Sequence, residues 1–277
     1  MRNEKRTKRI ATYVFLILVS FIFFFPFYFL IVSITNPSID ITRGKLMPGS
    51  HLIENFRTMM ETTPIRLSII NSSIVSVGQT IVSIFVSSLA GYGFEVHPSR
   101  GKEVVYKIIL LSMMIPFAAL MVPLFRLFGT ISGIAPALGI DTLFGVVLPY
   151  VSTAFLVFFF RQNTKMFPKE LIEAGRIDGL SEIGIFVRIF IPTMKTTYAA
   201  AGIVTFMNSW NNYLWPLIVL QSPRNYTVPL VISAMGSGYT IDYGSVMIAI
   251  FITTIPTAII FFVLQKYFVQ GMVGSIK

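Results

Sequence analysis

The stretch Glu173–Pro192, which reads EAGRIDGLSEIGIFVRIFIP, is polar in a chain that is otherwise mostly apolar. It lies between the apolar runs at residues 143–160 and 198–220. The Asp-Gly pair at 178–179 is a turn signal, because glycine adopts positive φ without steric cost. Ser181 follows the pair and is a favourable helix N-cap. The stretch therefore predicts two short helices joined by a sharp turn, placed between two membrane spans.

Each of these two helices is predicted to have an apolar side. In the first helix, Leu171 and Ala174 share one face at i, i+3. In the second helix, apolar residues at i, i+3, i+4 and i+7 predict a single stripe. These residues are Ile183, Phe186, Val187 and Phe190. Pro192 is expected to interrupt the second helix, because proline lacks an N–H and its ring clashes with the preceding turn.

The composition indicates a membrane protein. Of the 277 residues, 54% are hydrophobic and only 12% are charged, whereas soluble domains contain about 25% charged residues. Apolar runs long enough to cross a bilayer predict an all-α, polytopic membrane protein with six transmembrane helices. The runs are residues 10–34, 69–94, 108–128, 143–160, 198–220 and 246–264. Pro116 and Pro123 are expected to break the third of these, and residues 129–141 are expected to form a loop after it.

The distribution of basic residues predicts the orientation of the spans. With six crossings, most of the 22 lysines and arginines fall on one side, and basic residues collect on the cytoplasmic side of membrane proteins. The predicted organisation is a cytoplasmic N-terminus at 1–9, a six-span domain at 10–268 with a cytoplasmic loop at 162–197, and a cytoplasmic tail at 269–277. The net charge of +10 is explained by this rule, and we expect no nucleic acid partner.

The sequence gives little support to catalysis. It contains no GxxxxGK[ST] phosphate-binding loop and no cysteine. His51 and His97 lack the spacing of metal ligands, so no metal site is predicted. A secondary transporter would need ionisable residues inside its spans, but the twelve acidic residues fall in predicted loops or at span ends. That class and a passive channel remain alternatives.

The central stretch resembles the cytoplasmic signature loop of ABC importer permeases. The pattern of that loop is EAA, three residues, Gly, nine residues, Ile, one residue and Leu-Pro. The matching residues are Glu173, Ala174, Gly179, Ile189 and Pro192. Gly175 replaces the second alanine of the pattern, and Ile191 replaces its leucine. The substitution at Gly175 is expected to weaken the first helix by about 1 kcal/mol relative to alanine.

The resemblance implies that this loop couples the chain to a separate ATPase subunit. The residues that it implicates are Glu173, Ala174, Gly175, Asp178, Gly179, Ile189 and Pro192. The same resemblance implies that Gln270 and Gly271, in the tail, contact the ATPase subunits. It also implies that ATP with Mg²⁺ binds to those partners and that this chain, which is not an enzyme, binds no cofactor.

The fifth predicted span contains the asparagine-rich segment NSWNNYLWP, residues 208–216. Asparagine amides are costly in lipid and can hydrogen-bond sugar hydroxyls, and aromatic faces can stack on sugar rings. These properties predict a translocation path lined by Asn208, Trp210, Asn211, Asn212 and Tyr213. The alternative is that the asparagines join neighbouring helices. Trp215 is predicted to lie in the aromatic belt at the membrane interface.

From Ile10 to Lys277 the chain resembles the shorter permease of carbohydrate ABC importers, the maltose-transporter-like class of the binding-protein-dependent transport inner-membrane component family. This resemblance implies a type I importer permease fold in a bacterial or archaeal cell membrane. It implies a complex with a second permease, two ATPase subunits and an extracytoplasmic sugar-binding protein. A neutral oligosaccharide is the favoured substrate, and an importer for a non-sugar solute is the alternative.

Overall fold

The computed structural model describes residues 2–273, and every regular element within that range is helical, which confirms the all-α fold class. The α-helices are α1 (Arg2–Ser33), α2 (Ser38–Thr42), α3 (Leu52–Thr62), α4 (Ile65–Val96), α5 (Arg100–Ser112), α6 (Phe117–Ile134), α7 (Leu143–Val147), α8 (Ala154–Thr164), α9 (Lys169–Ile177), α10 (Glu182–Ile185), α11 (Ile191–Thr193), α12 (Lys195–Trp210), α13 (Leu214–Val219), α14 (Val228–Met235) and α15 (Tyr243–Val273). Short 3₁₀ turns lie at Pro136–Leu138, Leu148–Tyr150 and Pro223–Asn225, and a π-helix at Phe186–Phe190.

Within the described residues, four helices are long and apolar enough to cross a membrane. They contain Arg9–Ser33, Ile65–Val96, Phe117–Ile134 and Tyr243–Val263. A fifth crossing is obtained if Leu143–Tyr150 and Ala154–Thr164, which meet at a bend of 46°, form one span. The predicted span at 198–220 is divided into α12 and α13 by a break at residues 211–213. The number of six spans therefore stays a prediction.

The two prolines of the third predicted span, Pro116 and Pro123, have different effects on the helix. Pro116 occupies the N-cap position of α6, after α5 has ended at Ser112, so the predicted break there is confirmed. Pro123 lies inside α6 without ending it, and the prediction that it breaks the span was wrong. The loop predicted to begin at residue 129 was also wrong at its start, because α6 continues to Ile134. Apolar spans tolerate an internal proline when neighbouring groups satisfy the freed carbonyl.

The chain forms two compact units. The first runs from the start of the described chain to Ile65 and includes Val231–Ile255. In this unit the Asn55 amide donates hydrogen bonds to the carbonyl oxygens of Ile34 at 3.0 Å and Asn36 at 2.9 Å. These bonds fix α3 against the end of α1.

The second unit contains Arg66–Leu230 together with the chain from Pro256 onward. Its largest buried cluster surrounds Trp215 and draws side chains from α4, α6, α7 and α13. A second cluster contains Tyr92 of α4 together with Phe186 and Phe190 of the π-helix. This second cluster supports the signature loop.

Candidate functional site

Residues 169–193 form a compact projection that we call the knob. Its first helix, α9, ends with Asp178 at the C-cap, and Gly179 follows with φ of +77°. The N–H of Gly179 donates to the Arg176 carbonyl at 3.1 Å, and the N–H of Leu180 donates to the Gly175 carbonyl at 3.0 Å. This pair of bonds is the Schellman motif, in which glycine is favoured at the left-handed position. The predicted sharp turn is confirmed.

The second half of the knob begins as expected but does not end where the sequence predicted. The Ser181 hydroxyl caps α10 by accepting the Gly184 N–H at 3.2 Å. The helical path then widens into the π-helix Phe186–Phe190 and continues through α11, which contains Pro192. The prediction that Pro192 interrupts this helix was wrong. The wider π turn precedes the proline, and such a turn relieves the clash between the ring and the carbonyl four residues earlier.

The inner face of the knob is held by aromatic packing and by one close contact. Phe186 and Phe190 are buried against Tyr92 of α4, with ring centroids 5.3 and 4.9 Å apart. Gly175 of α9 faces the second helix, where an added Cβ would lie 2.8 Å from the Cδ1 of Ile189. The departure from the EAA pattern at residue 175 therefore has a packing reason: the two helices approach too closely for a methyl group unless Ile189 moves.

The outer face of the knob is also apolar. Ile183 is 73% exposed and Val187 is 47% exposed, so the predicted single stripe was wrong. The stripe is divided into an outer pair, Ile183 and Val187, and an inner pair, Phe186 and Phe190. On α9, Ile177 is 86% exposed, and Leu171 and Ala174 are exposed as well. The knob thus presents apolar side chains from both of its helices.

An ion pair braces one side of the knob and does not include Glu173. The Arg176 Nε donates to Glu182 Oε1 at 2.7 Å, and His97 Nε2 lies 3.1 Å from Glu182 Oε2. The hydrogen bond from Arg176 lowers the pKa of Glu182 below its usual value. Glu173 is exposed and makes no hydrogen bond or ion pair with any residue that the structure describes. Of these groups, Glu173 is the one free to contact a partner.

A buried arginine beneath the knob was missed in the sequence. Arg161 was counted there as one of the basic residues that orient the chain, but it is only 7% exposed. Its Nε lies 3.1 Å from Glu95, its Nη atoms pair with Glu103, and its guanidinium lies 4.1 Å from the centroid of the Tyr106 ring. The cluster joins α4, α5 and α8. The sequence places acidic residues near the ends of predicted spans, but it does not show that Arg161 pairs with them.

Trp215 is a core residue. It is fully buried, and its Nε1 donates to the Gly145 carbonyl at 2.9 Å. Its indole packs edge-on against Phe128 at 5.4 Å and Phe117 at 6.3 Å. The prediction that Trp215 lies in an interfacial aromatic belt was therefore wrong. Its N–H is satisfied inside the protein, so the ring does not need a wet interface.

The predicted path residues around the break in the fifth span occupy different surroundings. Asn208 and Asn212 line a cavity of about 260 Å³. Trp210 is buried and stacks on Phe206 with ring centroids 5.7 Å apart, and Asn211 is exposed, with its amide donating to the Met207 carbonyl at 2.8 Å. Tyr213 is half-buried against the Trp215 cluster. The cavity brings together only the first two of these residues.

The remaining predicted site lies at the chain end. The helix α15 extends through Gln270 and Gly271 to Val273, and the side chains of these two residues lie outside the described part of the chain. Among the described residues, no group of three His, Cys, Asp or Glu side chains is placed to hold a metal ion.

Known proteins are similar to this chain over most of its length. The sequence profile of the family described as binding-protein-dependent transport system inner membrane component matches residues 83–274. The lactose transport system permease protein LacG of Rhizobium radiobacter is 44% identical, with 99% of this chain and 98% of that protein covered. The arabinooligosaccharides transport system permease protein AraQ of Bacillus subtilis is 34% identical, with 97% and 96% covered. The sn-glycerol-3-phosphate transport system permease protein UgpE of Salmonella typhimurium is 32% identical, with both chains fully covered.

Solved structures share the fold. A chain of a bacterial ABC transporter involved in the import of the acidic polysaccharide alginate superposes with a TM-score of 0.84 at 20% identity, covering 96% of this chain and 98% of that one. A chain of a bacterial alginate transporter in complex with an alginate pentasaccharide-bound periplasmic protein superposes with a TM-score of 0.61 at 15% identity, covering 92% and 93%.

Proposed function

Because this chain belongs to the family of binding-protein-dependent transport system inner membrane components, a family of multi-pass membrane proteins, we propose that it is one permease subunit of an ATP-driven importer for carbohydrate. The chain forms half of the translocation path, and a second permease forms the other half. Two ATPase subunits and an extracytoplasmic sugar-binding protein complete the complex. Both termini of the chain are cytoplasmic.

The observation that carries this proposal is the knob. Its inner face is packed onto α4 through Phe186, Phe190 and Tyr92, so a force applied to the knob is transmitted to a membrane helix. Its outer face leaves Ile177 and Ile183 exposed beside the unpaired Glu173. A knob that is packed against α4 on its inner face and exposes apolar side chains on its outer face is suited to bind in a groove on an ATPase. Movement of that groove would then rotate the knob as a rigid body.

ATP hydrolysis belongs to the partner subunits in this proposal. The sequence has no phosphate-binding loop, and ATP with Mg²⁺ would be held by the ATPase pair. The tail residues Gln270 and Gly271 would reach the same partners. The acidic groups near the knob, Glu95 and Glu103, hold Arg161, which gives them a structural role in place of the ion relay that a secondary transporter needs.

The carbohydrate assignment is supported by the relatives whose names specify lactose and arabino-oligosaccharides. Within this chain, Asn208 and Asn212 supply uncharged hydrogen-bonding groups to a cavity at the break in the fifth span. An importer for a non-sugar solute is the alternative, since the permease named for sn-glycerol 3-phosphate is 32% identical.

Variants of the knob test the coupling role. Gly179→Val forces a β-branched residue into a left-handed backbone, at a cost of about 1 to 2 kcal/mol, while an added Cβ meets no atom within 4 Å. The substitution therefore distorts the turn without a clash. Glu173→Ala combined with Gly179→Ala also removes a charged contact with the ATPase, worth about 1.5 to 3 kcal/mol. In proteoliposomes containing the whole complex, we expect both sugar uptake and ATP hydrolysis stimulated by the binding protein to fall at least about tenfold.

The matched control is Gly44→Val, because Gly44 also has positive φ, +70°, and open space around its Cβ position, but lies outside the knob. This control should leave uptake unchanged, and sugar binding by the binding protein should be normal in every variant. Full uptake by Gly179→Val, with the ATPase subunits bound as in wild type, would show that the knob does not couple the two.

A further inference from the structure

The cavity beside the break in the fifth span is lined by uncharged polar side chains together with apolar ones. It has a volume of about 260 Å³ and lies among α4, α8, the turn before α8, and α12. None of its lining residues is charged. Its polar members are Gln79, Tyr150, Thr153, Thr205, Asn208 and Asn212.

Two of these residues are largely buried, and each presents to the cavity a polar group without a complete set of hydrogen bonds. Gln79 is 5% exposed, and the one hydrogen bond of its side chain among the described residues is accepted by Oε1 from the Ser209 hydroxyl at 2.9 Å. Its amide nitrogen therefore has no protein partner in that part of the chain. If the amide were rotated, the oxygen would be the unpaired atom. Thr205 is 6% exposed, and its hydroxyl has no partner among the described residues.

Polar groups that are open to a cavity can hydrogen-bond a molecule that enters it. Gln79 lies on α4 and Thr205 on α12, yet both line the same cavity. Tyr150 and Asn212 line a third part of the wall. Asn208 also lines the cavity and is exposed. The unpaired groups thus converge on a space that is large enough to receive a ligand.

We propose that this cavity is a subsite for one uncharged sugar ring on its way through the membrane. The proposal rests on the function proposed above. Amide and hydroxyl groups hydrogen-bond sugar hydroxyls, and the rings of Tyr150 and Phe155 offer apolar faces to the C–H faces of the sugar. A volume of about 260 Å³ is smaller than the pockets of roughly 300 to 1,000 Å³ that enclose drug-sized molecules, which suits a single ring.

The same lining discriminates against anionic solutes. A buried phosphate or carboxylate needs a cation or several strong donors, because an unpaired charge is costly away from water. No lysine or arginine lines this cavity. The subsite therefore accepts neutral sugars such as lactose and disfavours sn-glycerol 3-phosphate, even though relatives named for both solutes resemble the chain.

The first test compares uptake with ATP hydrolysis in proteoliposomes that contain the whole complex, saturated with lactose-loaded binding protein. Thr205→Val removes one hydroxyl at constant shape, and Gln79→Leu removes the amide. Each lost hydrogen bond should reduce lactose uptake about three- to tenfold. Stimulated ATP hydrolysis should stay within about twofold of wild type, because these variants leave the knob and its contact with the ATPase unchanged.

Thr80→Val is the matched control. Thr80 lies on the same helix as Gln79 and also has a buried hydroxyl without a partner among the described residues, but it does not line the cavity. It should retain wild-type uptake. If Thr205→Val and Gln79→Leu match Thr80→Val, the cavity is a packing void or a water site and the proposal is overturned.

The second test measures thiol labelling and not transport, so it can be carried out even if Thr205→Val and Gln79→Leu assemble poorly. Since the chain has no cysteine, Asn208→Cys can be labelled by a small thiol reagent in the purified complex. Lactose at high concentration should slow this labelling, and sn-glycerol 3-phosphate should not. Asn211→Cys, exposed but outside the cavity lining, should label at the same rate with either solute.

Equal effects of the two solutes on Asn208→Cys, or protection of Asn211→Cys as well, would overturn the subsite. Failure of the subsite differs from failure of the proposed function. If the proposed function is wrong, the wild-type complex itself takes up no lactose or other neutral sugar in response to ATP.

Discussion

At the scale of single residues, two positions show how the requirement for one residue type arises. Gly179 is needed for its backbone, because its φ of +77° lies in the left-handed region and no neighbour occupies the space of a Cβ. Trp215 is needed for its side chain, because it fills the centre of a buried cluster and supplies the N–H that the Gly145 carbonyl accepts. The first requirement is visible in the sequence, and the second depends on residues far apart in the chain.

Replacement of Trp215 tests the second requirement. Trp215→Phe leaves a void and removes the partner of a buried carbonyl, which together should cost about 2 to 4 kcal/mol of stability. We expect a lower midpoint of thermal unfolding for the detergent-solubilised complex. Leu217→Ala, a change at a 49% exposed position of the same helix, should have a much smaller effect. Equal midpoints for Trp215→Phe and wild type would contradict the core role.

At the scale of elements, the knob depends on the helices beneath it. The Arg161 cluster joins the ends of α4 and α8 to the first turns of α5. At Gly91 of α4, an added Cβ would lie 2.7 Å from the backbone nitrogen of Arg161, so α4 and α8 meet with almost no side chain between them. This junction fixes the helix onto which the inner face of the knob packs.

Arg161→Met should weaken the junction. It leaves the carboxylates of Glu95 and Glu103 without their cation, and the loss is smaller than for a deeply buried pair because both carboxylates reach solvent. The exposed Arg188, which has no ion pair with any described residue, provides the control Arg188→Met. A lower unfolding midpoint for Arg161→Met than for Arg188→Met is expected, and identical midpoints would exclude a stabilising role.

The junction also predicts a dependence on pH. The hydrogen bond from Arg161 lowers the pKa of Glu103 below its ordinary value of 4.5. Its stabilising contribution is therefore complete above that value and is lost as the pH falls through the lowered pKa. The difference in unfolding midpoint between wild type and Arg161→Met should shrink in that acidic range.

At the scale of the whole molecule, the distribution of charge predicts that the knob faces the cytoplasm. Ser50 and Lys165 are both exposed, so packing does not limit their reaction with a reagent. An impermeant thiol reagent added to intact cells should label Ser50→Cys and should not label Lys165→Cys, and opening the cells should expose the second site. Labelling of Lys165→Cys alone in intact cells would reverse the proposed orientation.

The sequence alone determined the helical class, the membrane character, the turn at Gly179 and the cap at Ser181. These features depend on local quantities: the apolar content of a run, the backbone freedom of glycine, and the reach of a serine hydroxyl to its own helix. The helical periodicity identified the apolar residues of the second helix of the knob. It could not predict that Phe186 and Phe190 are buried while Ile183 and Val187 are exposed, because a periodic pattern does not show which part of an apolar stripe another helix covers.

Only the tertiary structure decided which residues distant in sequence share an environment. It placed Trp215 in a core, paired Arg161 with carboxylates from two other helices, and separated Asn208 and Asn212 from Trp210 and Asn211. It also placed Gln79 of α4 and Thr205 of α12 on the wall of one cavity. The physical reason is that hydrogen-bond satisfaction and close packing are properties of a whole neighbourhood, and no local pattern in the chain specifies what lies across a helix interface.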